Sequence, residues 1–263
     1  MQTLRFGYSP CPNDTFAFHA LAHGLVEAPF RIEPVLLDIE ELNLRALAGD
    51  LDLTKVSYGA LPRLEATYRL LRSGSALGRG CGPLVVAREP MTLAEAAAGR
   101  IAIPGRETTA YLLLSLAAPA LADLVEVRYD RILAAVASGE VAAGLIIHES
   151  RFTYRDHGLE LVADLGDWWE GETGLPIPLG AIVARRDLGD VTSAAAESAI
   201  RASVEYAYAH PEASREYIRA HSQELSDAVC DAHIALYVNE FTIDLGEEGL
   251  AAVAGLTRRA ARG

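Results

Sequence analysis

The sequence is almost without lysine. Its 23 basic residues comprise 22 arginines and one lysine, Lys55. One interpretation is that an arginine-rich composition has left a single lysine by chance. The alternative is that position 55 needs a compact ammonium group, which the broad guanidinium of arginine cannot replace. Composition alone leaves both interpretations open.

Cysteine is also scarce, and its spacing excludes two common uses. The three cysteines, Cys11, Cys81 and Cys230, lie far apart, and no Cys-x-x-Cys pair occurs. This pattern fits a reducing compartment and contains no zinc motif, so we predict no metal. Cys11 lies in a loop where no sequence neighbour identifies an activating base, which argues against a nucleophilic role.

Long apolar runs and positive charge are lacking too. The longest mostly apolar stretch, AYLLLSLAAPALADL, has about 15 residues and contains Pro119, whereas a membrane-spanning helix needs roughly 20. No export signal marks the N-terminus, so we predict a cytoplasmic protein without a membrane partner. The formal net charge of -13 argues against nucleic acid, but it does not exclude an anionic small molecule.

What the sequence does contain is an alternation of strand-like and helix-like segments. Strand patterns at residues 3–9, 30–38 and 51–57 are separated by helical patterns. Such a βαβαβ series predicts a parallel sheet with helices on its faces. A second series begins near residue 92 and ends with GLIIHES, residues 144–150. After about residue 187 the pattern is helical to the end.

Two similar segments flank the second series and suggest two lobes. GPLVVAREP (residues 82–90) and IPLGAIVARRDL (residues 177–188) share a Pro-Leu, a β-branched run and an Ala-Arg. Coincidence between two ordinary strands is one explanation. The other is a pair of adjacent hinge strands, with lobe I formed by residues 1–84 and 185–263 and lobe II by residues 85–184. This predicts an α/β, two-lobed fold of the type-2 periplasmic-binding-protein kind, with a helical C-terminal segment and a ligand cleft between the lobes.

Polar residues follow the predicted strands of lobe I at their carboxyl ends. SPCPNDTF after the first strand is a stiff turn in which Asn13 or Asp14 can cap the next helix. In KVSYG, Lys55 and Ser57 are two residues apart, so they share one face of the third strand. An ammonium and a hydroxyl beside a helix N-terminus are suited to binding an anion, which favours a functional Lys55.

The strand ends of lobe II carry similar candidates. In GRETTAY, Thr108 and Thr109 begin a helix. Their hydroxyls can cap it, or they can hold a carboxylate together with the free amides of Thr109 and Ala110, and the two roles are compatible. His148 follows the last strand, where it is either a structural hydrogen bonder or a base suited to proton transfer near neutral pH.

Strand alternation predicts the side-chain directions of the residues next to His148. If the strand continues past His148, Glu149 points away from the cleft and serves the structure or holds Arg151, while Ser150 returns to the side of His148. The histidines His157, His210, His221 and His233 lack convergent partners in the sequence, which makes them weaker candidates than His148.

Taken together, the motifs resemble the 1,4-dihydroxy-6-naphthoate synthase family of the futalosine route to menaquinone. The similarity extends over SPCPNDTF, TKVSYGA, LRSGSALGRGCGPLVV, PGRETTAY and GLIIHESRFTY in that order, and over SDAVCDAHIALYVN near the C-terminus. The resemblance implies a carbon–carbon lyase that needs no cofactor and acts on cyclic dehypoxanthinyl futalosine, a small-molecule carboxylate.

The resemblance also implies roles for particular residues. His148 is the expected proton acceptor. The expected substrate-binding residues are Lys55, Val56, Ser57, Thr109 and Ala110, to which we add Asp14 and Arg79 from the matching motifs. The competing hypothesis is a solute-binding protein of the same fold that binds a carboxylate without chemistry.

Overall fold

A computed structural model describes residues 1–222 and 226–261 of the chain. The first eight elements alternate much as the hydrophobic pattern predicts. In chain order they are β1 (Gln2–Tyr8), α1 (Pro12–Ala22), β2 (Phe30–Leu36), α2 (Ile39–Leu47), β3 (Leu53–Ser57), α3 (Leu61–Leu64), β4 (Tyr68–Leu70) and β5 (Ala76–Gly78).

The middle of the chain repeats the alternation. Its elements are β6 (Leu84–Ala87), α4 (Leu93–Ala98), β7 (Arg100–Ile103), α5 (Thr109–Ala117), β8 (Asp123–Glu126), α6 (Tyr129–Ser138), β9 (Ala143–Ile146), α7 (Ser150–Thr153), β10 (Glu160–Asp164) and α8 (Leu165–Thr173). A 3-10 turn, Tyr154–His157, separates α7 from β10.

One long strand and then helices complete the fold. They are β11 (Ile177–Arg185), α9 (Gly189–Ala209), α10 (Arg215–His221), α11 (Asp227–Tyr237), α12 (Glu240–Ile243) and α13 (Gly246–Ala260), with 3-10 turns at Arg186–Leu188 and Pro211–Ser214. The hydroxyl of Ser203 on α9 donates to the carbonyl of Ala17 and accepts from the amide of Leu21, which fixes α9 against α1. The predicted helical C-terminal segment is therefore present and packs on the N-terminal part of the chain.

The strands form two sheets. The first has the order β2-β1-β3-β11-β4, with β5 paired to β11, and the second has the order β10-β6-β9-β7-β8. β1 is parallel to β2 and β3, and β7 is parallel to β8 and β9, as predicted for the two α/β series. β11 and β6 are antiparallel to their neighbours.

The prediction that residues 82–90 and 177–188 are adjacent hinge strands is wrong. β6 pairs with β9 and β10 in the second sheet, whereas β11 pairs only within the first sheet. The chain crosses between the sheets at residues 79–83 and again through residues 165–176, ahead of β11, so residues 177–184, predicted as part of lobe II, belong to the sheet of the first lobe. The two segments have similar sequences because both are buried strands, and strands that are covered on both faces share an apolar, β-branched composition.

A continuous hydrophobic core joins the two sheets. One buried cluster contains Val56 and Ala181 of the first sheet together with Val85 and Ile103 of the second. Trp169 of α8 lies fully buried in the same cluster and donates its indole N–H to the carbonyl of Pro176. Because the core is shared, the carboxyl ends of both parallel strand sets are held facing each other. Among the described residues, no helix combines the length and apolarity that crossing a membrane requires.

Candidate active site

A cavity lies between the two sheets at the carboxyl ends of their parallel strands. Ser9 follows β1, Ser57 ends β3, Thr108 lies after β7 and His148 follows β9, and all four line the cavity. Ligands of open α/β sheets bind at this edge because the loops and helix N-termini converge there.

The cavity brings together most of the residues that the sequence singled out. Those that line it are Asp14, Lys55, Ser57, Thr109, Ala110 and His148. Val56 is not among them, since strand alternation turns its side chain into the core between the sheets.

Arg79 also lies away from the cavity lining. Its side chain is about half exposed, forms an ion pair with Glu248 and donates to the carbonyl of Gly174. Gly174 belongs to one segment that crosses between the sheets and Arg79 to the other. Arg79 thus connects the two crossings, and it does not line the cavity as a substrate-binding residue would.

The single lysine is buried beside a carboxylate. Lys55 Nζ lies 2.6 Å from Asp14 Oδ1, and both side chains are almost inaccessible to solvent. The second oxygen of Asp14 accepts from the amide and hydroxyl of Ser9. An ammonium has three N–H donors, and the bond to Asp14 uses one. Lys55 therefore supplies positive charge at the cavity wall while Asp14 holds it in place.

Ser57 is oriented by a buried asparagine that the sequence analysis missed. Asn43 of α2 accepts from the amide of Ser57 at 2.7 Å and donates to its hydroxyl oxygen at 3.1 Å. Since the Ser57 oxygen is an acceptor in that bond, its own hydrogen is available to a ligand in the cavity. The available signal was an asparagine inside a helical pattern, where asparagine is unfavourable.

The start of α5 offers backbone amides rather than free hydroxyls. Thr108 accepts a hydrogen bond from the amide of Tyr111 and thereby caps the helix, which confirms the prediction of a capping threonine. The hydroxyl of Thr109 donates to the carbonyl of Leu179 and accepts from the amide of Gly59, both in the first lobe. The amides of Thr109 and Ala110 have no partner within the helix because of their position in its first turn.

His148 stands in a strained turn directly after β9. Its φ of 57° is positive, which no other non-glycine residue in the described part of the chain shows. The Tyr129 ring packs edge-on against the imidazole, with centroids 4.9 Å apart. The Nε2 atom is buried and has no hydrogen-bond partner among the described residues. Backbone strain of this kind costs about 1–3 kcal/mol and tends to occur at functional sites.

The environment of His148 keeps its imidazole neutral. Burial lowers the pKa of His148 to about 4, with Asp14 raising it and Lys55 lowering it by smaller amounts. A neutral imidazole with an unengaged nitrogen can accept a proton. A negatively charged ligand beside it would raise this pKa and strengthen the base.

Cys11 and Glu149 lie next to His148. One potential ligand atom from each of the three residues falls within 4.8 Å of the others. Burial, and next the charge of Glu149, raise the pKa of the Cys11 thiol well above its usual range, which argues against a thiolate nucleophile. Thiol, imidazole and carboxylate are nevertheless groups that zinc accepts. The absence of a metal requirement therefore stays a prediction.

The strand alternation assumed for residues 149–151 does not hold, because β9 ends at Ile146. Glu149 lies near His148 instead of facing away, and Arg151 pairs with Asp164 at 2.7 Å. Ser150 begins α7 and is buried outside the cavity lining. A turn, rather than an extended strand, sets the direction of these side chains.

His233 of α11 is a second histidine of the cavity, and the sequence analysis assigned it no role. It is 1% exposed and lines the cavity together with His148. The ring centroids of the two histidines are 6.5 Å apart. Its position depends on the C-terminal helices folding back over the strand ends, which no local sequence pattern reveals.

Two facing α/β lobes with a ligand-sized cavity between them define a class of small-molecule-binding folds. The chain is similar to the alkanesulfonate-binding protein of Xanthomonas axonopodis, solved with bound MOPS, with a TM-score of 0.69 over 90% of this chain and 84% of that one. The sequences are 18% identical, so this similarity concerns the fold alone. The chain has a periplasmic-binding-protein-like fold.

The chain belongs to the menaquinone biosynthesis family, whose model matches residues 4–262. It is 61% identical to a 1,4-dihydroxy-6-naphthoate synthase of Thermus thermophilus, over 100% of this chain and 96% of the relative. A crystal structure of an Archaeoglobus fulgidus protein is also similar, with a TM-score of 0.94 and 39% identity over 99% of this chain and 97% of that one.

Proposed function

We propose that the chain converts cyclic dehypoxanthinyl futalosine to 1,4-dihydroxy-6-naphthoate, with His148 as the general base. The observation that carries this proposal is the neutral His148, whose buried Nε2 atom has no protein partner within the described residues. A cavity used only for binding has no need of a strained, unengaged base. The family and the named Thermus relative support the same activity.

Ser57 and the first turn of α5 would hold the substrate carboxylate. The Ser57 hydroxyl, the amides of Thr109 and Ala110 and the positive end of the helix dipole all suit an anion. Lys55 adds positive charge nearby, and its pairing with Asp14 keeps it in one position. A substrate anchored in this way presents its reacting carbon in a fixed orientation, which lowers the entropic part of the barrier.

His148 would then remove one proton from carbon. The electron pair of that C–H bond forms a new double bond of the fused ring, which becomes aromatic, while the electron pair of the broken carbon–carbon bond leaves with the sugar-derived remnant. The imidazolium of His148 then returns its proton to the remnant, so the base is regenerated and the step balances. Aromatisation supplies the driving force, so the residues need only accept a proton, hold an anion and exclude water.

Incubating purified protein with cyclic dehypoxanthinyl futalosine tests the proposal. We expect 1,4-dihydroxy-6-naphthoate, detected by absorbance and mass, from wild-type protein before and after treatment with a chelator. Binding of substrate without product would instead support a carboxylate-binding protein of the same fold. Loss of turnover with the chelator, restored by zinc, would contradict the metal-independent mechanism and direct attention to Cys11, His148 and Glu149.

A further inference from the structure

His233 is held rigidly at the cavity wall. The C-terminal end of α11 is fixed to the first sheet, since Asn239 donates its side-chain N–H to the carbonyl of Leu77 at 2.9 Å. Tyr237, one turn after His233 on the same helix, packs its ring 4.6 Å from the imidazole. Phe152 of the second lobe lies 6.2 Å away on another side. The imidazole is therefore fixed by rings from both lobes.

Neither ring nitrogen of His233 has a hydrogen-bond partner among the described residues, although the side chain is 1% exposed. A buried polar group without a partner is destabilising, and native proteins retain few of them. Phenylalanine would give the same aromatic contacts without that cost. Because the ring lines the cavity, a bound molecule is the partner that the site offers.

The environment of His233 indicates which group it would contact. Burial, and then the charges of His148 and Lys55, lower the pKa of His233 well below its usual range. The neutral ring has one donor and one acceptor nitrogen, which suits a hydroxyl or carbonyl oxygen. A carboxylate gains more from charged donors and backbone amides, which Lys55 and the start of α5 supply.

From this geometry we infer that His233 contacts the substrate by a hydrogen bond to an uncharged oxygen of its sugar-derived part. The inference rests on the proposed function. His148 removes a proton next to the carbon–carbon bond that breaks, so the remnant must lie beside His148. His233 is 6.5 Å from His148 between ring centroids and is therefore close enough to reach an oxygen on the remnant. The role of His233 is to orient the leaving part of the substrate.

The comparison of substrate with product tests this role. The product 1,4-dihydroxy-6-naphthoate keeps the carboxylate but lacks the remnant. His233→Phe retains the ring contacts and removes both nitrogens, while His233→Asn and His233→Gln each return an amide near one nitrogen position. His157→Asn changes an exposed histidine and is the matched control. Ser57→Ala reports on the carboxylate end, and thermal unfolding checks that each variant is folded.

We expect His233→Phe to lower kcat/KM for the substrate by about 10-fold or more, with product Kd unchanged. At least one of His233→Asn and His233→Gln should have a higher kcat/KM than His233→Phe. Ser57→Ala should weaken the binding of substrate and of product to a similar extent. The inference is overturned if His233→Phe keeps the wild-type kcat/KM, or if it weakens product binding as much as it lowers kcat/KM for the substrate. It is also overturned if neither amide variant is more active than His233→Phe. Should His233→Phe fail to fold, the Asn and Gln variants carry the same substrate-to-product comparison.

The two proposals fail separately. Wild-type protein that forms no naphthoate refutes the proposed function. Wild-type turnover that His233→Phe leaves unchanged refutes only the role of His233.

Discussion

At the scale of single residues, the site depends on two side chains kept in costly environments. His148 combines a positive φ with burial, and Lys55 is buried with Asp14. Removing one partner of a buried ion pair typically destabilises a protein by 3–5 kcal/mol, so Lys55 and Asp14 are best tested by changes that keep charge. Asparagine tolerates positive φ better than most residues, which makes His148→Asn a substitution with little added strain.

His148→Asn should lower kcat by about 100-fold or more, the usual range for loss of a general base, with substrate affinity little changed. His157→Asn, at an exposed histidine, should leave kcat unchanged. Steady-state kinetics together with substrate binding separate the two effects. Normal turnover of His148→Asn would leave His148 as a structural residue.

The pH profile should report the same group. The base acts only when unprotonated, so wild-type kcat/KM should stay level as the pH falls from 8 and decline as it approaches about 4, the pKa of His148. A bound carboxylate raises that pKa, so the decline in kcat should begin at a higher pH than the decline in kcat/KM. If kcat/KM already falls near pH 6.5, the imidazole is not desolvated as the fold implies.

Lys55→Arg should lower kcat/KM by about 10-fold or more although charge is kept. A Cβ placed on Gly180 would come within 2.9 Å of Lys55 Cε, so the lysine stem packs directly on that glycine, and the longer arginine side chain would have to move its charged group away from Asp14. The reverse exchange at an exposed site, Arg31→Lys, should have no effect. If Lys55→Arg has wild-type kinetics, the single lysine reflects only the arginine-rich composition of the chain.

At the scale of elements, the first turn of α5 has two tasks. Thr109 and Ala110 line the cavity, while the hydroxyl of Thr109 connects the second lobe to Gly59 and Leu179 of the first. The adjoining Glu107 forms an ion pair with Arg63, and its backbone amide donates a hydrogen bond to the carboxylate of Glu40. If α5 also binds the substrate carboxylate as proposed, we expect it to couple ligand binding to closure of the lobes.

Thr109→Val should therefore raise KM more than it lowers kcat. The substitution leaves the Gly59 amide and the Leu179 carbonyl without their partner, at a cost of roughly 1–3 kcal/mol to the closed form. Thr109→Ser keeps the hydroxyl and should behave like wild type in the same kinetic assay. A wild-type KM for Thr109→Val would show that the hydroxyl does not contribute to binding.

At the scale of the whole molecule, we expect any closure of the lobes to act through the two crossings between the sheets. Gly80 and Gly174 lie in these crossings with φ of 64° and 69°, and open space surrounds both. Arg79, in the same crossing as Gly80, donates a hydrogen bond to the carbonyl of Gly174 in the other crossing. Short segments of this kind can absorb a change in backbone angles while the sheets move as units.

A saturating concentration of 1,4-dihydroxy-6-naphthoate should reduce the radius of gyration in solution scattering. A carboxylate that contacts Ser57 in one lobe and α5 in the other, as proposed, would stabilise the closed form. The curve of ligand-free Thr109→Val should indicate a more open molecule than wild type. Superimposable wild-type curves, with binding verified independently, would mean that the site is preformed.

The sequence by itself determined what depends on local periodicity. The parallel strand series, the C-terminal helices and the placement of Lys55, Ser57, Thr109 and His148 at strand ends all follow from alternation and capping within a few residues. The strand-end rule then brings those side chains to one edge without knowledge of further contacts.

Only the tertiary structure decided which distant segments meet. Asn43 reaches Ser57, Asp14 pairs with Lys55, and His233 enters the cavity because helices pack across the strand ends. The sheet membership of β6 and β11 depends on long-range pairing, which similar strand compositions cannot specify. The turn at His148, which places Glu149 beside it, departs from the strand pattern because surrounding contacts stabilise a backbone conformation that local preferences disfavour.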